Sequence, residues 1–336
     1  MRVTVLYNQD QALALGRAED GSAVAAVQDA ARAAAQACQD LGHATTLLPA
    51  PEDPEPLLRE LAATRPDVVL NLVESLRGDP GHEATVAGLL ELAGFRFTGS
   101  PAQALHLGLD KTMAKAVLAA AGVPVPRGVA VERGDESLAD VPWPAIVKPG
   151  RQDASHGIDQ QSVVADPAAA WQQIERVARH YGTPVLVEEF VAGREFNVAV
   201  LGHDDQFTVL PLSEIDFTAY PPGRPPLVTY AAKWLPESPE YRGTPAIAAR
   251  ALPPATEERI RVLAQRACRA LRVRDYARVD LRLHAERGPL VLEVNPNPDL
   301  SPDAGFARAA ARAGLDHPRL IGRILDGALH RGPHPA

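Results

Sequence analysis

The chain has 336 residues, 46% hydrophobic and 23% charged, and its 34 basic and 42 acidic residues leave a net charge of −8. At ~150 residues per domain that length predicts two to three domains with cores of their own, and the composition excludes a disordered chain. The mild acidic excess lacks the basic stripe that phosphate-backbone recognition requires, which argues against a nucleic acid partner, and no apolar run approaches the ~20 residues of a membrane span. Two cysteines, Cys38 and Cys268, cannot build a disulfide framework or a four-ligand zinc site, so a reducing cytoplasm is the expected location.

From residue 1 to 98 the text alternates strand and helix. Strands are expected at Val3–Tyr7, Ala44–Leu48 and Asp67–Leu72, with helices at Ser22–Leu41, Leu57–Ala63 and His82–Ala93. That order predicts a small parallel αβ domain. A second unit, 99–187, carries a helix at Lys111–Ala121 and a strand at Ala145–Lys148. The polar loop Pro149-Gly-Arg-Gln-Asp-Ala-Ser-His-Gly157 follows, then a strand at Gln161–Val164, the helix Pro167–His180 and the strand Val185–Val187. The third unit, 188–330, opens on Glu188 and Glu189 and alternates through Glu195–Leu201. After a Pro-rich connection it gives a helix at Thr256–Leu271, strands at Ala277–Leu283 and Leu290–Val294, and a last helix around Pro318–Leu329. The expected class is therefore α/β for the first part and α+β for the last.

The strongest local signal lies in Arg278-Val-Asp-Leu-Arg282 and Leu292-Glu-Val-Asn295. Residues two apart on a strand share a face, so Arg278 sits with Asp280 and Glu293 with Asn295. If the strands pair, two carboxylates and an amide oxygen make an all-oxygen site suited to magnesium. A second signal is Lys148, a charge that ends an apolar strand and needs a partner; a phosphate would satisfy it. The loop after it offers backbone N–H groups, Ser155 and a glycine near each end, which suits a polyphosphate, although no Walker motif is present. Glu188, Glu189 and Glu195 follow a buried strand, where carboxylates can take the amine of adenine and the hydroxyls of a ribose.

Together these residues carry a family resemblance. Asp110-Lys111, Ile146-Val-Lys-Pro149, Leu186-Val-Glu188, Gly193-Arg-Glu-Phe196, Ala232-Lys233, Ala277-Arg-Val-Asp280, Leu292-Glu-Val-Asn295 and the run from Leu89 to Ser100 are similar in order and spacing to D-alanine:D-alanine ligases. These belong to the ATP-grasp superfamily, and the similarity spans about residues 70–325. The resemblance implies a three-domain ATP-grasp architecture with ATP held between the central and C-terminal domains. It implies that Lys111, Lys148 and Lys233 hold the phosphates under the Ser155 loop, with Lys233 on a mobile segment. It further implies adenine contacts at Glu188 and Val191 beside Glu189, a ribose contact at Glu195, and two Mg2+ ions (Mn2+ able to replace them) on Asp280, Glu293 and Asn295. Arg278 matches the arginine that meets the oxyanion. The implied reaction is amide formation through an acyl phosphate, in a homodimer that takes small amino acid substrates.

The substrate residues match less well. Tyr7-Asn-Gln-Asp-Gln11 offers no counterpart to the family's glutamate for the first ammonium, Ala154 replaces the first of two loop serines, and Ala304 falls where a serine binds the second carboxylate. Glu74, Arg77, His82, Glu83 and Asp299 are the remaining substrate candidates. The expectation is a retained ATP machinery with changed amino acid substrates. A genuine D-alanine:D-alanine ligase, and an ATP-grasp enzyme with a non-amine acceptor (a kinase or an ester former), stay open as alternatives.

Overall fold

Apolar strand runs separated by amphipathic helices organise the chain into three sheets. The structure is a computed structural model that describes residues 1–203 and 206–331. The first sheet is parallel, in the order β2-β1-β3, from β1 (Arg2–Tyr7), β2 (Ala44–Pro49) and β3 (Val68–Asn71). Helices α1 (Gly21–Asp40), α2 (Pro54–Ala63) and α3 (Gly81–Leu92) connect and follow these strands. All four residues of β3 are buried, as a strand covered on both faces requires.

Two helices then meet at Asp110: α4 (Ala102–Leu109) and α5 (Lys111–Ala120). The Asp110 carboxylate accepts from the Thr112 and Met113 N–H groups, which starts a new helix and turns Lys111 inward. The second sheet is antiparallel, β4-β7-β5-β6, from β4 (Gly128–Val131), β5 (Ala145–Pro149), β6 (Val163–Val164) and β7 (Val185–Glu189), with α6 (Pro167–Tyr181) packed on β5. The expected strand at Gln161–Val164 is shorter: 160–162 form a 3-10 turn that Asp159 caps by accepting from the Gln161 N–H, and only Val163–Val164 pair.

The third sheet runs β11-β10-β8-β12-β13 with β9 beside β8. Its members are β8 (Arg194–His203), β9 (Gln206–Val209), β10 (Ser213–Ile215), β11 (Ala246–Ala248), β12 (Tyr276–His284) and β13 (Gly288–Asn295), all antiparallel. Short helices α7 (Tyr230–Trp234) and α8 (Pro239–Arg242) precede β11, and α9 (Pro254–Ala270) covers one face. Helices α10 (Gly305–Arg312) and α11 (His317–His330) close the chain. Leu320, Ile321, Ile324 and Leu325 of α11 join one buried cluster with α1 alanines, β1 valines and Tyr276, so the last helix ties the first sheet to the third. Gly193 makes the turn from β7 to β8 with φ 130, and a Cβ there would lie 2.1 Å from the Leu283 carbonyl oxygen. Among the described residues no helix is long and apolar enough to cross a membrane.

Candidate active site

A cavity of about 790 Å3 opens between the second and third sheets and reaches α1 and the start of α10. Its floor is the β12–β13 ladder, whose register sets Asp280 opposite Glu293 and Arg278 opposite Asn295. The four polar groups expected to converge do so. Arg278 binds Asp280 with two 2.8 Å hydrogen bonds from Nε and Nη2, while Asn197 Nδ2 donates to the same carboxylate at 2.8 Å. Its remaining nitrogen, Nη1, makes no hydrogen bond among the described residues. Burial works to lower the Arg278 pKa, but Asp280, Glu293 and Asp299 more than offset it, so the guanidinium stays charged.

Glu293 is the focus of the positive charge. Burial opposes its ionisation, yet Lys111 (3.4 Å away), Lys148, Lys233 and Arg278 together bring its pKa down to about 2. Four cations therefore gather at this end of the cavity, where Glu188 also pairs with Lys148 and Asp280 with Arg278. Lys111 Nζ also donates to the Gln152 carbonyl of the 149–157 loop.

Lys148, the strand-end charge that needs a partner, has one within the protein. Its Nζ lies 2.6 Å from Glu188 Oε1, and Lys115 Nζ lies 2.8 Å from Glu188 Oε2. Burial would raise the Glu188 pKa, but the two lysines outweigh it and hold the carboxylate ionised. Burial pushes Lys115 down to about 8, and its ammonium also donates to the Leu292 carbonyl at 2.9 Å, next to Glu293. Sequence reasoning missed Lys115, although its spacing of four from Lys111 on α5 places both on one helix face.

The 149–157 loop is pinned to the α7 segment. Ser155 Oγ donates to the Val228 carbonyl at 3.1 Å, Trp234 Nε1 to the Ala154 carbonyl at 3.0 Å, and the Tyr230 N–H to the Ile158 carbonyl at 2.9 Å. Ala154 (φ 48) and Ser155 (φ 62) are both left-handed, a conformation that costs non-glycine residues energy and that these contacts hold in place. Lys233, between Tyr230 and Trp234, lines the cavity, and burial followed by repulsion from Arg278 lowers its pKa.

The adenosine candidates fare unequally. Val191 and Glu195 line the cavity, and Glu195 Oε2 is bound by Arg282, another residue that sequence reasoning left out. Glu189 also borders the cavity, but its carboxylate is engaged by Arg287 at 2.8 Å and by the Arg127 N–H at 2.9 Å. That pairing makes it a tie between β7, the chain entering β4 and the β12–β13 turn.

The substrate candidates divide. Glu74 and Asp299 face the cavity with Asp153. Burial, then Asp153, Asp299 and Glu83, raise the Glu74 pKa well above the carboxylate range, and its side chain has no hydrogen-bond or ion-pair partner among the described residues. Glu83 is buried behind this wall and accepts from Asn297 Nδ2 at 2.7 Å. Arg77 is not in the site. It is exposed and pairs with Asp53 and Glu52, because the turn after Leu76 directs it toward α2. His82 is not in the site either: its Nδ1 sits 2.9 Å from the Leu76 carbonyl and fastens the loop before α3.

The three-sheet fold that frames this cavity has a known counterpart. The D-alanine–D-alanine ligase of Bacillus anthracis, solved in complex with ATP, superposes with a TM-score of 0.75 at 20% identity, over 98% of this chain and 97% of that one. The fold is thus that of the ATP-grasp ligases. The D-ala D-ala ligase C-terminus family matches residues 117–326. The D-alanine–D-alanine ligase of Stutzerimonas stutzeri is 36% identical over 279 residues, 82% of each chain. The uncharacterized protein y4sG of Sinorhizobium fredii is 36% identical over 320 residues, 94% of this chain and 88% of that one. The chain belongs to the D-alanine–D-alanine ligase family.

Proposed function

We propose that the protein is an ATP-dependent carboxylate–amine ligase that joins two amino acids or amino-acid-like molecules through an acyl phosphate. The observation that carries this reading is the convergence of Lys111, Lys148, Lys233 and Arg278 on Glu293, beside Asp280 and Asn295, in a cavity whose far wall is acidic. A cluster of buried cations fits a polyphosphate, and an oxygen-only set of two carboxylates and an amide fits magnesium, which keeps phosphates and waters as its other ligands. Asp280, Glu293 and Asn295 would hold the metal; bound there, it neutralises charge on the transferring phosphoryl group. The reading keeps a three-part division of the chain at 1–98, 99–187 and 188–330, and a cytoplasmic homodimer.

The chemistry follows from the charges. A substrate carboxylate oxygen attacks the γ-phosphorus of ATP, the bond to the β,γ-bridging oxygen breaks, and ADP leaves. Lys148, Lys233 and Lys111 hold the phosphate oxygens in line and offset their charge. A neutral amine then attacks the acyl carbon, and the oxyanion that develops meets Arg278, whose Nη1 is not engaged by Asp280. The C–O bond to phosphate breaks, the nitrogen passes its extra proton to the departing phosphate, and the amide remains. The Ser155 loop and the α7 segment, bonded to each other, exclude water from the acyl phosphate. Asp299 and Glu74 hold substrate ammonium groups on the acidic wall, the arriving cation favouring the ionised form of Glu74 that burial and its acidic neighbours disfavour.

Relatives that act as D-alanine–D-alanine ligases favour D-alanine as both substrates. The absent glutamate in 7–11, Ala304 and Asp299 favour other amino acids. ADP release across a panel of D- and L-amino acids, alone and in pairs, with mass spectrometry of the product, tests both. Release that requires two substrates and yields an amide supports ligation; release with one substrate and a phosphorylated product overturns it.

A further inference from the structure

Arg282 is 2% exposed, and a buried guanidinium is costly unless its donors are matched. Here they are matched by three separate segments. Nε donates to Glu195 Oε2 at 2.9 Å, and Nη2 lies 2.8 Å from the same oxygen. Nη1 donates to the Val191 carbonyl at 2.8 Å, and Nη2 also donates to the Pro226 carbonyl at 2.6 Å. The guanidinium lies over the rings of Phe190, 4.8 Å from its centroid, and Phe217, at 5.6 Å.

Those ligands are not scattered over the fold. Val191 belongs to the turn that leaves the second sheet, Glu195 to the start of β8, and Phe217 and Pro226 to the segment that leads into α7; Val191, Glu195 and Arg282 itself line the cavity. Glu195 Oε1 has no hydrogen-bond partner among the described residues, so Arg282 engages one oxygen of this cavity-lining carboxylate and leaves the other unengaged. A residue that only had to fill the face of β12 would need no charge.

We propose that Arg282 is a positioning residue for the nucleotide: it aims Glu195 at the ribose and ties the 216–229 segment to the adenosine side of the cavity. This rests on the reading of the cavity as the ATP site. Arg282 acts through Glu195 and through the Pro226 carbonyl rather than on the reacting atoms, so its loss weakens nucleotide binding and ribose selection but leaves the chemical step in place.

The test measures binding of ATP and of 2′,3′-dideoxy-ATP by calorimetry with Mg2+ to the wild type, Arg282→Met, Arg282→Lys and Lys148→Met, with steady-state kinetics alongside. The wild type should prefer ATP by about tenfold, the worth of one charge-assisted hydrogen bond. In Arg282→Met that preference should collapse to about twofold and the KM for ATP should rise about tenfold, with kcat at saturation within about threefold. Arg282→Lys, which keeps the charge and part of the bonding, should fall between and covers the case in which the Met variant does not fold. Lys148→Met should lose both nucleotides equally. A full ribose preference in Arg282→Met, or in Arg282→Lys if only that folds, overturns the proposal while the site reading stands. A wild type that binds neither nucleotide overturns the site reading itself.

Discussion

Replacing Glu293 by glutamine removes one negative charge from among four cations without changing the shape of the side chain. Its pKa of about 2, against an ordinary 4.5, is about 2.5 pK units of preference for the ionised form in the folded protein. At 1.36 kcal/mol per unit this is about 3 kcal/mol. The side chain is 26% exposed, so solvent screens it only in part. Because the folded-state pKa is depressed, the contribution is fully present above about pH 5 and is lost as the pH falls toward 2. Urea unfolding of the nucleotide-free protein in EDTA should therefore show Glu293→Gln less stable by about 3 kcal/mol at pH 7, the gap shrinking to roughly half by pH 3. Conversely, metal-free ATP should bind the variant more tightly than the wild type, since an opposing charge has gone from the site. A stability gap that is absent at pH 7, or that stays constant from pH 7 to pH 3, refutes the claim that the four cations converge on this carboxylate.

Three further outcomes follow from the same geometry. Arg278→Ala should lower kcat by about 10²–10³ while the Kd for ATP stays within about threefold, as loss of an oxyanion donor does; unchanged turnover would remove that role. Glu74→Gln should raise the KM for the amino acid whose ammonium it holds by about tenfold and leave the KM for ATP alone, the cost of a charge-assisted hydrogen bond; a shift in the ATP value instead would place Glu74 elsewhere. Arg77→Ala should change kcat/KM by less than about twofold, because it breaks only exposed ion pairs, and a larger loss measured by ADP release would return Arg77 to the site.

The metal-side strands were legible because a strand has a strict period of two: Arg278 with Asp280 and Glu293 with Asn295 could face one way only, and antiparallel pairing then brought them together. Long helices such as α1, α6 and α9 announced themselves by their apolar stripes and breakers. What stayed hidden is short or non-local. Strands β9, β10 and β11 have three or four residues each and gain their order from pairing, β9 and β10 with β8 and β11 with β10, not from their own pattern. α4 is absent from the sequence reading, which places the first helix of the second unit at Lys111; it is eight residues long, and the Asp110 cap separates it from α5. The Lys115–Glu188–Lys148 arrangement joins residues 73 and 40 positions apart, and no local spacing shows that two lysines share one carboxylate. Arg77 and His82 misled because residue type was read without the turn at Leu76–Asp79, which sends one side chain outward and ties the other to the backbone.

The central claim is that a substrate carboxylate is activated by the γ-phosphoryl group before an amine captures it. Its most direct test is turnover with an amino acid carrying 18O in its carboxylate, with the released phosphate read by 31P NMR. Acyl phosphate chemistry predicts one labelled oxygen in each phosphate, appearing in step with amide and ADP. Phosphate without label, formed by water attack on ATP, would contradict the account.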